Sequence, residues 1–384
     1  MVQLRLLSLW LALVCLVNAI PADIHVSDPL KVFSQTKDYP LPNQSNIAAH
    51  DPNILRYNDN YYMFKGGMYL PVFKSDSLGG PWKRIGTVFD GPSVIQKQNR
   101  TRPWAPTTVE RNGRFYCFYT ISKRGSRDSA IGVASTDSID DGSWTDHGAL
   151  INTGEGPQSH IYPYTVSNAI DAAFITDQES GKPYLLYGSF WHGIFQVPLS
   201  DDLLSVEHPR RPDAKNLAFL PDRKVKPQEG SFMSYHEPYY YVWFSQGKCC
   251  HFSQGFPKMG QEYSIRVGRS KNVRGPFLDK DERSLTDGGG TVVYGSNHGV
   301  VYAPGGIGVM TSNSSDPDVM YYHYLNTSIG LRDGQARLGY SCIDYQDGWP
   351  VAKACKSRGS IVRPNYTSTF LAVLFTGAFL WLYR

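Results

Sequence analysis

Three acidic residues open three of five similar stretches in this 384-residue chain. They are Asp51 in His50-Asp51-Pro52-Asn53, Asp171 in Asn168-Ala169-Ile170-Asp171-Ala172, and Glu229 in Glu229-Gly230-Ser231-Phe232. A carboxylic acid that keeps its proton, set against a carboxylate that has lost one, can hydrolyse a glycosidic bond. The acid protonates the leaving oxygen, and the carboxylate activates water or attacks carbon. The local contexts separate the two parts. Glu229 belongs to a stretch that returns along Tyr239-Tyr240-Tyr241-Val242-Trp243-Phe244. Desolvation among such residues raises a carboxyl pKa and keeps a proton for donation. Asp51 stands between His50 and Asn53, a polar setting that suits a charged base. Asp171, between Ile170 and Ala172, is oddly placed for a solvated surface residue. A third negative charge near Glu229 would raise that residue's pKa and help to orient it. Taken singly, each acid reads more readily as part of a β-turn.

The elements that would position these acids form a repeat. Residues 49–55 turn back along Tyr61-Tyr62-Met63-Phe64, and 104–109 along Phe115-Tyr116-Cys117-Phe118-Tyr119. Residues 170–175 return along Tyr184-Leu185-Leu186-Tyr187, 229–233 along the aromatic run above, and 304–310 along Met320-Tyr321-Tyr322-His323-Tyr324. Five hairpins at intervals of roughly 50–70 residues have the period of propeller blades. In a propeller the first strand of every blade lines the axis, and all such strands run the same way. Equivalent residues therefore converge on one mouth, however far apart in sequence. The composition agrees: 25 tyrosines supply β-forming aromatics, and 36 glycines with 25 prolines supply turns. The fold expected is all-β, a single-domain five-bladed β-propeller over residues 49–355. A lead-in precedes it at 20–48, with a short strand at Lys31-Val32-Phe33.

The formal charge of +4 is small for this length. The densest basic spots, Arg210-Arg211 and Lys224-Val225-Lys226, read as solvated loops, so no nucleic-acid partner is implied. Residues 1–19 read as a secretory leader: Arg5, an apolar run over 6–17 too short to span a membrane, then small residues at 17–19. Export agrees with five Asn-x-Ser/Thr sequons, at Asn43, Asn99, Asn313, Asn326 and Asn365. Beyond Cys15, five cysteines remain, so at least one thiol is unpaired unless another chain joins. Cys342 with Cys355 is the preferred bridge. The adjacent Cys249 and Cys250 could be joined only with strain, because neighbouring α-carbons sit about 3.8 Å apart. Residues 356–384 form a polar spacer and a greasy tail, a pattern that fits a glycolipid-anchor signal. The protein is therefore expected to be secreted, with the membrane reached only through that anchor.

The segments around the three acids, with Tyr187-Gly188-Ser189-Phe190-Trp191-His192 and Asn297-His298-Gly299, resemble family 43 glycoside hydrolases. More narrowly, they are similar to the fungal endo-1,5-α-L-arabinanases. The likeness also takes in 239–250, 297–306 and 333–351, and covers about residues 24–352. It implies a five-bladed propeller and an inverting mechanism, with Asp51 as general base, Glu229 as general acid and Asp171 tuning and positioning the acid. The substrate implied is the arabinan side chains of plant pectin, taken by a monomer. The resemblance also implies a calcium ion on the axis, held mostly by water, with His298 beside it and His50 next to a ligand rather than being one. Sugar rings stack their C–H faces on aromatics, which singles out Trp104 and Trp191, with Asn168, Gly188 and Ser189 on the floor. Three positions depart from the pattern: Ala172 where Pro is frequent, Ala303 where Gly is common, and Thr107 where many relatives carry Asp. Two alternatives stay open. One is an exo-acting arabinanase, arabinofuranosidase or β-xylosidase of the same fold, and the other is a sugar-binding propeller without catalysis.

Overall fold

A computed structural model describes residues 38–312 and 316–355, and within them every regular element is a strand, apart from three 3-10 turns of three residues each. The leader, Cys15, the strand expected at Lys31-Val32-Phe33, Asn313, Asn365 and the C-terminal tail lie outside the described residues. The chain enters on β1 (Asn43–Ala48) and then builds four sheets in order. Blade 1 is β2 (Asn53–Tyr57), β3 (Asn60–Phe64), β4 (Pro71–Ser75) and β5 (Lys83–Thr87). Blade 2 is β6 (Trp104–Arg111), β7 (Arg114–Ile121), β8 (Ser129–Thr136) and β9 (Thr145–Thr153). Blade 3 is β10 (Ala173–Thr176), β11 (Pro183–Tyr187), β12 (Ile194–Pro198) and β13 (Lys215–Ala218). Blade 4 is β14 (Gln228–His236), β15 (Tyr239–Gln246), β16 (Ser264–Ser270) and β17 (Thr291–Tyr294). Blade 5 is β18 (Val301–Met310), β19 (Val319–Asn326) and β20 (Arg337–Gln346). The five expected hairpins are the first two strands of these blades.

Blade 5 takes its outer edge from both ends of the described chain. β1 pairs antiparallel with the first part of β20, Asn43 opposite Tyr340, and β21 (Trp349–Lys353) pairs with the second, Cys342 opposite Lys353. The propeller therefore begins at Asn43, inside the stretch expected to be a lead-in. The segment Asn-Gln-Ser-Asn-Ile-Ala is polar and half-exposed, so it shows no apolar alternation; backbone bonds to β20 make it a strand.

The second strands read as unbroken apolar runs because both faces of each blade are covered. Residues 115–121 of β7 and all of β11 are buried. Each seam between blades has its own core. Phe64 and Tyr119 fill the seam of blades 1 and 2, Phe118 and Leu185 that of 2 and 3, Leu186 and Phe244 that of 3 and 4. Trp243 with Tyr322 fills the seam of 4 and 5, and Ile54 with Leu338 closes the ring between 5 and 1. Trp243 is fully buried and donates its indole N–H to Ser234 Oγ at 2.8 Å. Truncating it to Ala would cost roughly 3–5 kcal/mol. The hairpin loops Asn58-Asp59 and Asn112-Gly113 are left-handed at both positions, the geometry whose twist matches the flanking strands. Cys117 is buried and free, Cys249 and Cys250 are joined to each other, and Cys342 and Cys355 are both disulfide-bonded.

Candidate active site

At one mouth of the axis, each blade has a left-handed residue in its inner strand or just before it: Asp51 (φ 44°), Ala105 (37°), Asp171 (57°), Gly230 (58°) and Gly306 (60°), with Ala303 (51°) a second in β18. In blades 2, 4 and 5 these residues fall where the ladder slips, between Trp104 and Thr107, Glu229 and Phe232, and Gly305 and Gly308. Such bulges re-aim side chains. Four of the five N–H groups are taken by the preceding blade. Asp51 donates to His323 Nδ1 (3.2 Å), Asp171 to Thr120 Oγ1 (3.2 Å), Gly230 to Asp171 Oδ2 (3.0 Å) and Gly306 to Ser245 Oγ (3.0 Å). The acids are therefore not in equivalent positions, as the repeat implied. Asp51 and Asp171 occupy the left-handed site, whereas blade 4 puts Gly230 there and presents Glu229 one residue earlier.

The three carboxyls have different proton affinities. Burial pushes Glu229 up, the negative charge of Asp51 adds to this, and bonds from Ser189 and Tyr263 offset part of it. Ser189 Oγ donates to Glu229 Oε2 at 2.7 Å. Burial also drives Asp171 well above the usual carboxylate range, helped by the charges of Glu229 and Asp51 and opposed by the Gly230 N–H. For Asp51, burial acts upward but is outweighed by the charge of His50 and the neighbouring His323, so its carboxyl lies below the usual range. His50 Nε2 lies 3.6 Å from Asp51 Oδ2, His323 Nδ1 lies 3.2 Å from Oδ1, and the two rings stack with centroids 4.1 Å apart. The arrangement moves the two carboxyls apart, Glu229 towards keeping a proton and Asp51 towards losing one. The charge that raises Glu229 is that of Asp51; Asp171, expected to supply it, is itself pushed up by Glu229.

Two close approaches fix this geometry. A Cβ on Gly306 would stand 2.4 Å from Asp51 Oδ1 and 2.7 Å from His323 Nδ1. A Cβ on Gly305 would run into the ring of Tyr263, a buried tyrosine that feels all three acids. A small axial pocket of about 30 Å³ is lined by Asp51, Asp171, Gly230, Gly306 and Thr107.

Residues 45–350 match the model of Glycosyl hydrolases family 43. This chain belongs to that family. It is 55% identical to the probable arabinan endo-1,5-alpha-L-arabinosidase D of Emericella nidulans, over 98% of each chain. Among solved structures, the family 43 endo-arabinanase of Bacillus licheniformis superposes with a TM-score of 0.67 at 29% identity, covering 80% of this chain and 98% of that one. An exo-1,5-alpha-L-arabinanase from a bovine ruminal metagenomic library superposes with a TM-score of 0.69 at 26% identity, covering 82% and 99%.

In this family 43 chain the other expected residues divide. Ser189 reaches Glu229, and Trp191 stands 39% exposed on the same 188–193 turn. Gly188 makes that turn possible, since a Cβ there would meet Gly193 O at 2.1 Å. Trp104 is half-buried beside left-handed Ala105. Asn168 does not line the floor: it is 3% exposed and accepts the Ser129 hydroxyl at 2.8 Å. His298 is not beside the acids it was expected to serve. It sits in turn 297–300, where its Nε2 meets Tyr39 O at 2.7 Å and Asp38 Oδ1 at 3.0 Å. Among the sequons, Asn326 is buried in β19, and Asn99 spends its amide N–H on Ser122 O. Sequence reasoning missed His323, Tyr263, Ser245, Thr120 and Gly306 as site residues. His323 lies inside Tyr322-His323-Tyr324, which reads as core.

The donors at the mouth do not fit calcium. Asp51 with His50 and His323 is the described group there that could hold an ion, and it is nitrogen-rich. Calcium takes six to eight oxygens.

Proposed function

We propose that this protein hydrolyses internal α-1,5-L-arabinofuranosidic bonds of arabinan with inversion at the anomeric carbon. The reading rests on one observation: at a shared mouth, the Asp51 carboxyl is held below the usual carboxylate range while that of Glu229 is pushed above it. Asp51 takes a proton from water, and that water attacks C1. The C1–O bond breaks as Glu229 gives its proton to the departing oxygen. Asp171 is the positioning residue, holding the backbone of Gly230 and hence the adjacent acid. Tyr263 and Ser189 aim Glu229, and Trp191 offers a face for a sugar ring. The chain at 1–19 and 356–384 supports export and attachment to the cell surface through a glycolipid, with Asn43 the sequon on the edge strand β1.

Linear debranched arabinan, incubated with the enzyme and followed by proton NMR, tests the reading. A ladder of short oligomers, each first released as the β-anomer, is expected. Monomer or dimer alone would replace endo by exo action, and binding without cleavage would leave a sugar-binding propeller.

A further inference from the structure

Resting on that reading, we propose that a cavity on the face opposite the acids is a second binding site for neutral sugar chains, which holds the enzyme on polymeric arabinan. The cavity has a volume of about 300 Å³ and lies between blades 3 and 4, among the β10–β11 turn, the β14–β15 hairpin and the β16–β17 connection. Inner strands start at the acid-bearing mouth, so their first turns lie at the far face. Tyr235, which lines the cavity, follows Glu229 by six residues along β14, roughly 20 Å of extended chain. The cavity is therefore no extension of the catalytic mouth.

Its walls are fixed by bonds that cross the seam of the two blades. Tyr240 of blade 4 donates its hydroxyl to Asp177 Oδ1 of blade 3 at 2.6 Å and accepts the Gln178 N–H at 2.7 Å. Gln196 Nε2 of blade 3 donates to Val273 O of blade 4 at 3.0 Å. Tyr235 is half-buried, its ring 4.8 Å from that of Tyr240, and gives the cavity an aromatic surface. Two amides leave opposite ends for a ligand. Asn272 spends its oxygen on the Arg274 N–H at 2.7 Å and keeps its nitrogen, whereas Gln178 spends its nitrogen on Thr176 O at 3.1 Å and keeps its oxygen. Glu179 adds an acceptor and Lys271 a donor, both on exposed side chains. This lining selects by elimination. An apolar ligand would strand the polar groups, an anion meets Asp177 and Glu179, and a cation meets Lys271. A sugar ring lays its C–H face on Tyr235 and offers hydroxyls that both donate and accept. The volume falls in the range of small-molecule sites. A chain held there is tethered near the mouth on the other face, so later encounters with arabinan become local ones.

The test compares the wild type with Tyr235→Ala and with the double variant Glu179→Ala/Lys271→Ala. Adsorption to insoluble debranched arabinan and kcat/KM on a short soluble arabino-oligosaccharide are measured for each. Either change is expected to weaken adsorption by on the order of tenfold, the loss of one ring contact or its equivalent, and to leave the oligosaccharide kcat/KM unchanged. If Tyr235→Ala disturbs the core, both readouts fall together, and the double variant, at two exposed side chains, decides. Unchanged adsorption in the folded variants overturns the second site. Failure of the wild type to cleave either substrate would instead overturn the proposed function, while adsorption would still report on the cavity.

Discussion

Gly230 donates its backbone N–H to Asp171 Oδ2 at 3.0 Å, so the residue next to the proposed acid of blade 4 is held by a carboxyl of blade 3. An Asp→Asn change at 171 keeps an oxygen for that bond and removes the ionisable group. Because the folded protein raises the Asp171 pKa, its contribution to stability is present below the unfolded value of about 3.9 and is lost as pH rises through the folded value. Asp171→Asn should therefore melt higher than wild type at pH 7, with the gain vanishing near pH 3, while turnover falls. Calorimetry across pH reads the first effect, and the arabinan assay the second.

Glu229→Gln removes the proton donor while conserving shape. Turnover should drop by about 10²–10⁴-fold, with arabino-oligosaccharide affinity measured by titration calorimetry nearly unchanged. Near-normal turnover would remove Glu229 from the role of acid.

His50→Gln weakens what holds Asp51 low, because the charge of His50 is the strongest influence opposing burial there. Asp51 then keeps its proton to higher pH, so the acid limb of kcat/KM should move upward. The alkaline limb, set by Glu229, moves less. A pH profile with an unmoved acid limb would dissociate Asp51 from that limb.

Gly306→Ala places a methyl where Asp51 and His323 already stand, at a left-handed position that costs a Cβ about 1–2 kcal/mol. Activity should fall by more than stability accounts for, as judged by comparing melting temperature with turnover in the same preparation.

Prolonged dialysis against a chelator should leave activity on debranched arabinan largely intact, since the mouth offers two imidazoles and one carboxylate rather than an oxygen cage. Loss of activity restored by calcium alone would show that water supplies the missing oxygens.

The hairpin rhythm was legible because each blade is a local unit: an acid or small residue, a turn, then aromatics buried on both faces. Asp51, Asp171 and Glu229 stood out because each is a lone carboxyl at the start of one of the repeated strands. The rest depends on distant contacts. Whether Glu229 or Gly230 matches Asp51 is set by a bulge in β14, and a one-residue slip leaves no compositional trace. His323 looks like one more ring of an aromatic strand until the ring of blades brings it against Asp51. Asn168 looked like a polar floor residue, but Ser129, which occupies it, lies on another blade. β1 has no pattern of its own, because its reason to be extended is β20.

That last pairing bears on how the enzyme comes into being. Asn43 emerges from the ribosome among the first residues of the propeller and cannot meet Tyr340 until nearly the whole polypeptide has been made. Contacts of such long sequence separation form slowly. Until they do, the outermost strand of the final sheet is open on one side, exposed to pairing with other chains. Hydrolytic competence should therefore arrive in a single late step, when the two ends clasp and the first and fifth blades bring Asp51 and His323 together.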